Sequence, residues 1–221
     1  MASSKKIIFL LSPAKSLNFA AHSFSKLPHS HPCFLKNTDT LLKELKQLSK
    51  GSLKTLLGVS DHLATLNHDR YRSFKLSKTA SSAKPTEDEF KQCILAYNGA
   101  AYDGLDATSM SKEDLIYCND HLRILSGLYG LVKPLDLIQP YRLDFGKKLK
   151  TEGNNNLYQF WGDQVAKAVD AEKAIVVNCA SQEYFKGCGP SLKSKVVHCE
   201  FKDGGRIISV FAKRARCMMV R

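Results

Sequence analysis

The stretch Leu122–Gly146, LRILSGLYGLVKPLDLIQPYRLDFG, decides how the rest of the chain is read. It keeps neither a helical nor a strand period for long. Gly127, Gly130, Pro134, Pro140 and Gly146 cut it into short pieces. Large apolar side chains fill the intervals, and Ser126, Tyr129, Asp136, Gln139, Tyr141, Arg142 and Asp144 lie among them. An irregular segment this apolar cannot run free in water. It has to lie against a core, with neighbours satisfying its backbone groups. Leu122–Leu125 reads as a strand that leads into it.

Composition sets the frame around this segment. The chain has 221 residues, 43% hydrophobic and 24% charged, which is enough for one large domain with a sizeable core. No apolar run approaches the roughly 20 residues that span a bilayer, so no membrane partner is expected. Ile7–Leu11 is shorter than the about 7–15 residues of a signal-peptide core and reads as a buried first strand. Seven cysteines lie at 33, 93, 118, 179, 188, 199 and 217, without a CxxC pair. That pattern fits free thiols in a reducing compartment better than a disulfide framework or a zinc site. His29 and His31 have no evident partners, and no metal or cofactor is expected. The net charge of +12 favours a polyanionic partner, with a merely basic soluble protein as the alternative.

The remaining elements follow from period and punctuation. Thr38–Leu48 reads as a helix with Leu41, Leu42, Leu45 and Leu48 on one face. Ser52–Arg72 reads as two short helices joined at Gly58-Val59-Ser60. Thr86 opens a helix with acids in its first turn, and Ile94–Tyr97 reads as a short strand. Ser111 caps a helix that runs to His121, with Asp114 three positions on. Leu157–Val169 reads as one amphipathic helix and Ala174–Asn178 as a buried strand. Asp203-Gly204-Gly205 between Lys195–Phe201 and Arg206–Phe211 is a hairpin signal. Ala212–Arg221 reads as a basic helix. There is no internal repeat and no linker.

Three constellations can carry function. In the first, Gly58 permits a tight turn and Ser60 caps the second helix, whose first N–H groups then form a phosphate site. The element resembles a helix-hairpin-helix, which grips one DNA phosphate without reading bases, with Lys54, His62 and Arg70 adding charge. Ser60 stands where the common pattern has a second glycine. An ordinary helical hairpin in the core has the same pattern. The second set follows the strands: Ser12 and Lys15, then Ser126, then Ser181 and Glu183. In an open α/β sheet these gather beyond the carboxyl ends of the strands, here together with Tyr141 and Arg142. They form either a pocket or a set of caps and turns. As a pocket they would serve an enzyme acting on a nucleotide or nucleic acid, with Glu183 as acid or base. The third is Lys213-Arg214-Ala-Arg216 with Arg221, either a phosphate contact or a solvated face. GxGxxG, Walker, HExxH and GxSxG motifs are absent from the sequence.

Several of these residues fall in longer motifs: Ser12-Pro-Ala-Lys15, Leu125-Ser-Gly-Leu-Tyr-Gly130, Lys133-Pro-Leu-Asp136 and Gln139-Pro-Tyr-Arg-Leu143. Further on come Leu157-Tyr-Gln-Phe-Trp-Gly-Asp163, Asn178-Cys-Ala-Ser-Gln-Glu-Tyr-Phe-Lys186 and Ala212-Lys-Arg-Ala-Arg216. Together, from Ile7 to the last residue, they resemble the YaaA peroxide-stress-resistance family. The resemblance implies a single compact α/β domain over 1–221, a "cannonball" fold in which helices surround a mixed sheet. It implies a helix-hairpin-helix element at about 52–72 and a basic cleft. It further implies sequence-independent binding of double-stranded DNA, and protection from hydrogen peroxide by limiting iron-driven damage. On that reading Lys15, Lys54, Gly58, Val59, Ser60, Arg70, Arg142, Lys186, Lys213, Arg214 and Arg216 hold or flank the DNA. Ser12, Ser126, Tyr141, Ser181 and Glu183 stay as the candidate pocket read above from the strand ends. A cytoplasmic monomer without a cofactor is expected, and catalysis is not. Members of the family continue for a few dozen residues past the basic helix, so a C-terminally shortened chain is expected. Ala20–Pro32 departs from the family pattern and is given no role.

Overall fold

Leu122–Gly146 lies buried along almost its whole length in the computed structural model, which describes residues 5–20, 27–76, 89–202, 204–206 and 208–221. Its polar side chains brace the segment from within. Ser126 accepts from the Tyr129 N–H at 3.0 Å, and the Tyr129 hydroxyl accepts from the Gln139 N–H at 3.1 Å. Asp136 accepts from the Lys133 N–H at 2.8 Å and from the Ser30 hydroxyl at 2.6 Å. Gln139 closes a two-way bond with the backbone of Lys75 at 3.0 and 2.7 Å. Each such bond contributes only about 1 kcal/mol net, but losing one partner of a buried pair costs about 1–3 kcal/mol.

The first half of the chain forms β1 (Ile7–Leu11), β2 (Ser16–Leu17), α1 (Leu35–Gln47), α2 (Lys50–Leu57) and α3 (Asp61–Ser73). Next come β3 (Lys91–Gln92), α4 (Cys93–Ala96), β4 (Tyr97–Asn98) and α5 (Lys112–His121). The opening segment supplies β5 (Leu122–Ser126), β6 (Gly130–Val132) and β7 (Leu137–Ile138). The remainder is α6 (Leu157–Trp161), α7 (Gln164–Asp170), β8 (Ile175–Asn178), α8 (Gln182–Phe185), β9 (Val196–His198) and α9 (Ser209–Val220). The fold is mixed α/β. Its five-stranded sheet has the order β6-β5-β1-β8-β9. β5, β1, β8 and β9 run parallel, and β6 turns back antiparallel on β5. β1 is central and almost continuously apolar, IIFLL, as a strand covered on both faces must be.

Helices hold the turn of the opening segment in place. The Trp161 ring of α6 is fully buried, and its indole N–H donates to the Gly127 carbonyl at 3.0 Å. Gly130 lies under that ring with φ +72°, where a Cβ would come within 2.7 Å of it. On α1, Thr38 donates to the Leu128 carbonyl at 3.2 Å. Ser111 and Asp114 form a full capping box at the start of α5.

Three local expectations change. The expected helix Leu157–Val169 is two helices, because the chain turns at Gly162 with φ +49°. Ile94–Tyr97 is not a strand. The Cys93 and Ile94 N–H groups bond the Asp136 and Pro134 carbonyls, and the turn between Cys93 and Ala96 becomes helical before β4. Of the hairpin expected around Asp203-Gly204-Gly205, Asp203 itself lies outside the described residues, and the expected second arm, Arg206–Phe211, ends in a helix. β9 extends the parallel sheet beside β8, and the chain is already helical from Ser209. Thr86 and its expected helix start also lie outside the described residues, as does part of Ala20–Pro32.

Candidate functional site

The carboxyl ends of β5, β1 and β8 lie side by side. The chain leaves β1 toward β5 and returns across it to β8, so the order reverses between β1 and β8. Open α/β sheets form ligand crevices at such points. Ser12 and Ser181 meet there: the Ser181 N–H donates to Ser12 Oγ at 2.9 Å, and the hydroxyls are 3.3 Å apart. The Tyr102 hydroxyl donates to the Ser12 carbonyl at 2.9 Å.

Ser126 ends β5, but it is fully buried. Its hydroxyl is 2.7 Å from the Tyr141 hydroxyl, which is 2.8 Å from that of Tyr97. Burial pushes both tyrosine hydroxyls above their ordinary values, so the chain of hydroxyls stays protonated. Ser126 and Tyr141 therefore brace the core and do not face solvent. Asp144 is also buried and accepts from the Tyr184 hydroxyl at 3.0 Å, with Lys15 Nζ 3.8 Å away on the solvent side. Burial, and then the Asp144 charge, push the Tyr184 hydroxyl up. Arg142 offers its carbonyl to the Tyr71 hydroxyl, while its buried Nε has no hydrogen-bond partner among the described residues. Glu183 is exposed. Its carboxylate accepts from the Gly146 N–H at 3.0 Å, and its carbonyl accepts from the Tyr158 hydroxyl at 2.9 Å. Lys186 Nζ sits 5.0 Å from the centre of the Tyr158 ring.

A second region lies at the turn between α2 and α3. Leu53 and Leu57 bury one face of α2. Gly58 closes it in the left-handed region, φ +61° and ψ +54°, a conformation that suits glycine. Val59 packs half-buried against the core. Ser60 caps α3 by accepting from the Leu63 N–H at 3.4 Å. Lys54 crosses the turn to Asp61 at 2.8 Å, and Asp61 holds the anionic place that the start of α3 favours. Lys147 Nζ comes from the end of the opening segment to 3.6 Å from where a Gly58 Cβ would stand. Lys147 and Lys148, with Ser52, Thr55, Leu56 and Gly146, line an open hollow of about 580 Å³. Sequence reasoning passed over these two lysines. Their signal was the doubled lysine directly after Gly146. Arg70 is half-buried in the last turn of α3.

The basic helix α9 packs against the 3-10 turn Tyr102–Gly104. Lys213 and Arg214 are exposed and Arg216 is half-buried. The Arg214 backbone presses on Gly104, where a Cβ would come within 2.6 Å of its carbonyl oxygen. Arg221 donates to the Leu105 and Asp106 carbonyls at 2.8 and 3.0 Å and to the Ser109 hydroxyl at 2.8 Å. It is a tether for the helix and not a free phosphate contact. Of the expected phosphate contacts, Lys54 thus lies at the α2–α3 turn and Lys213, Arg214 and Arg216 on α9, while Lys15 stands beside Asp144 and Lys186 over Tyr158. Among the described residues, no three His, Cys, Asp or Glu side chains are arranged to hold a metal ion, and no helix is long and apolar enough to cross a membrane.

A family model described as peroxide stress protein YaaA matches residues 7–221. A UPF0246 protein of Delftia acidovorans is 44% identical over 227 residues, covering 97% of this chain and 84% of its own length. A UPF0246 protein of Ralstonia nicotianae is 44% identical over 225 residues, and one of Burkholderia mallei is 43% identical over 227, both with the same coverage.

Proposed function

We propose that this chain, which belongs to the peroxide stress protein YaaA family, binds double-stranded DNA through its backbone charge and not its sequence. On this reading it works in the cytoplasm as a monomer and limits iron-driven damage to the DNA during peroxide stress. The observation that carries the reading is the Gly58–Ser60 turn with Lys147 beside it. It has the form of a helix-hairpin-helix. The N–H groups at the start of α3 that Ser60 does not occupy are donors for one phosphate oxygen, and the helix dipole favours the negative charge there. Lys147 and Lys148 supply counter-charge from the side. Asp61 cancels part of it, through its pair with Lys54. The net charge of +12 draws any polyanion toward this face and toward Lys213 and Arg214 on α9.

None of these groups reads a base edge, so affinity is expected to be the same for unrelated duplexes of equal length. It is expected to fall with salt, by a slope of about −0.9 for each phosphate neutralised. Titration of two unrelated duplexes across a salt series tests both points. Binding that ignores salt, or that prefers one sequence strongly, would overturn the reading.

A further inference from the structure

Three of the cysteines gather at the far edge of the sheet. β8 and β9 pair in parallel, with Val177 opposite Val197 and Asn178 opposite His198. The Cys199 N–H continues the ladder to the Asn178 carbonyl at 3.3 Å, and the Cys179 N–H donates to the Leu10 carbonyl at 2.9 Å. Cys179 and Cys199 are therefore the next opposed pair in register. Asn178 and His198 meet on one face, Nδ2 to Nδ1 at 3.4 Å. One residue further, the two cysteines turn to the other face. Cys217 of α9 is close enough to act on the Cys179 thiol. Burial, and then Cys199 and Cys217, push the Cys179 thiol up to about 12, while Arg216 pulls the other way. Cys179 and Cys217 are buried, and Cys199 is partly exposed.

Neighbouring strands lie about 4.7–4.9 Å apart, and a disulfide joins Cα atoms about 4.4–6.8 Å apart. The opposed pair is within bridging reach without moving the backbone far. We propose that Cys179 and Cys199 are a thiol pair that a hydroperoxide converts into a cross-strand disulfide, with Cys199 reacting first. Cys199 sulfur attacks one peroxide oxygen and becomes a sulfenic acid, and the O–O bond breaks to release water. Cys179 sulfur then attacks the sulfenic sulfur. The S–S bond forms, the S–O bond breaks, and the hydroxyl leaves with the Cys179 proton as a second water. Two thiols lose two electrons in total, and hydrogen peroxide is reduced to two waters. The bridge would lock the edge strand β9 to β8, beside the Ser12–Ser181 contact. The proposal does not depend on DNA binding.

The test uses the reduced full chain and hydrogen peroxide at one to two equivalents. Remaining thiols are blocked with N-ethylmaleimide, and the protein is cut with trypsin without reductant. The two cysteines fall on separate peptides, 174–186 and 196–202, and Cys217 on a third, 217–221. The expected product is 174–186 joined to 196–202, two hydrogens lighter than the sum, and lost after dithiothreitol. In Cys179→Ser, Cys199 is expected to stop as a sulfenic acid that dimedone captures. A Cys199 left fully alkylated while the exposed Cys33 is oxidised would overturn the proposal. So would a Cys199 sulfinic acid without the linked peptide, or Cys179 joined to 217–221.

Discussion

Trp161 has no edge in water, and its single polar atom is spent on the Gly127 carbonyl. The ring also contacts Phe34, 5.5 Å between centroids, and Phe160 at 5.2 Å. Trp161→Ala removes this packing and orphans a buried carbonyl, so a loss of about 3–5 kcal/mol is expected. A urea melt reads it as a lower midpoint. The second residue of this kind is Arg123, 3% exposed in its side chain and paired with Glu172, which also bonds Lys6 at 2.7 Å. Burial pulls the Glu172 carboxyl up, but its bonds to Lys6 and Arg123 hold it below its ordinary value. A depressed carboxyl stabilises the fold above its unfolded value near 4.5 and loses that contribution as pH falls through the folded one. Glu172→Gln is therefore expected to cost roughly 3 kcal/mol at neutral pH, because it strands the Arg123 charge. It should also flatten the acid limb of a stability–pH curve. A variant as acid-sensitive as the wild type would remove Glu172 from that role.

The α2–α3 unit was readable because its signals are local. Leucines at helical spacing, Gly58 and the Ser60 cap lie within about two helical turns of each other, so no distant contact overrules them. The α6–α7 break was also local, yet the apolar period ran through Gly162 and hid it. That β9 joins the parallel sheet was hidden for a different reason. Val196 and Val197 suit either neighbour equally, and only the tertiary fold offers them β8. At this scale the charges at the turn are separable. Gly58→Asp places a carboxylate beside Lys147 and strains the left-handed turn, so weaker binding to every duplex is expected. Unchanged affinity in a folded variant would take the turn out of the interface. Lys147→Ala with Lys148→Ala should lower the salt slope by about 1–2. Asp61→Asn should do the opposite. It frees Lys54 and uncovers the start of α3, so duplex affinity at low salt should rise by roughly two- to five-fold. Helix stability should drop by about 0.3–1 kcal/mol. An Asp61→Asn variant that binds more weakly would point the phosphate elsewhere.

At the scale of the molecule, the order β6-β5-β1-β8-β9 sets which residues become neighbours. Nothing in a linear pattern announces that order. Ser12 and Ser181 were expected in one region because both follow strands, and they touch. Ser126 is the last residue of a strand, but Tyr141 and Tyr97 close over it. Lys147 escaped notice because its place beside Gly58 depends on where the end of the opening segment is laid down. The same topology bears on how the chain is made. β1, the middle of the sheet, leaves the ribosome first, while its partners begin at Leu122 and Ile175. At about 5–20 residues per second, IIFLL waits on the order of ten seconds or longer for the second of them. Throughout that interval the nascent protein carries an unpaired apolar strand, so during translation its yield should rest on whatever shields Ile7–Leu11 until Ile175 emerges.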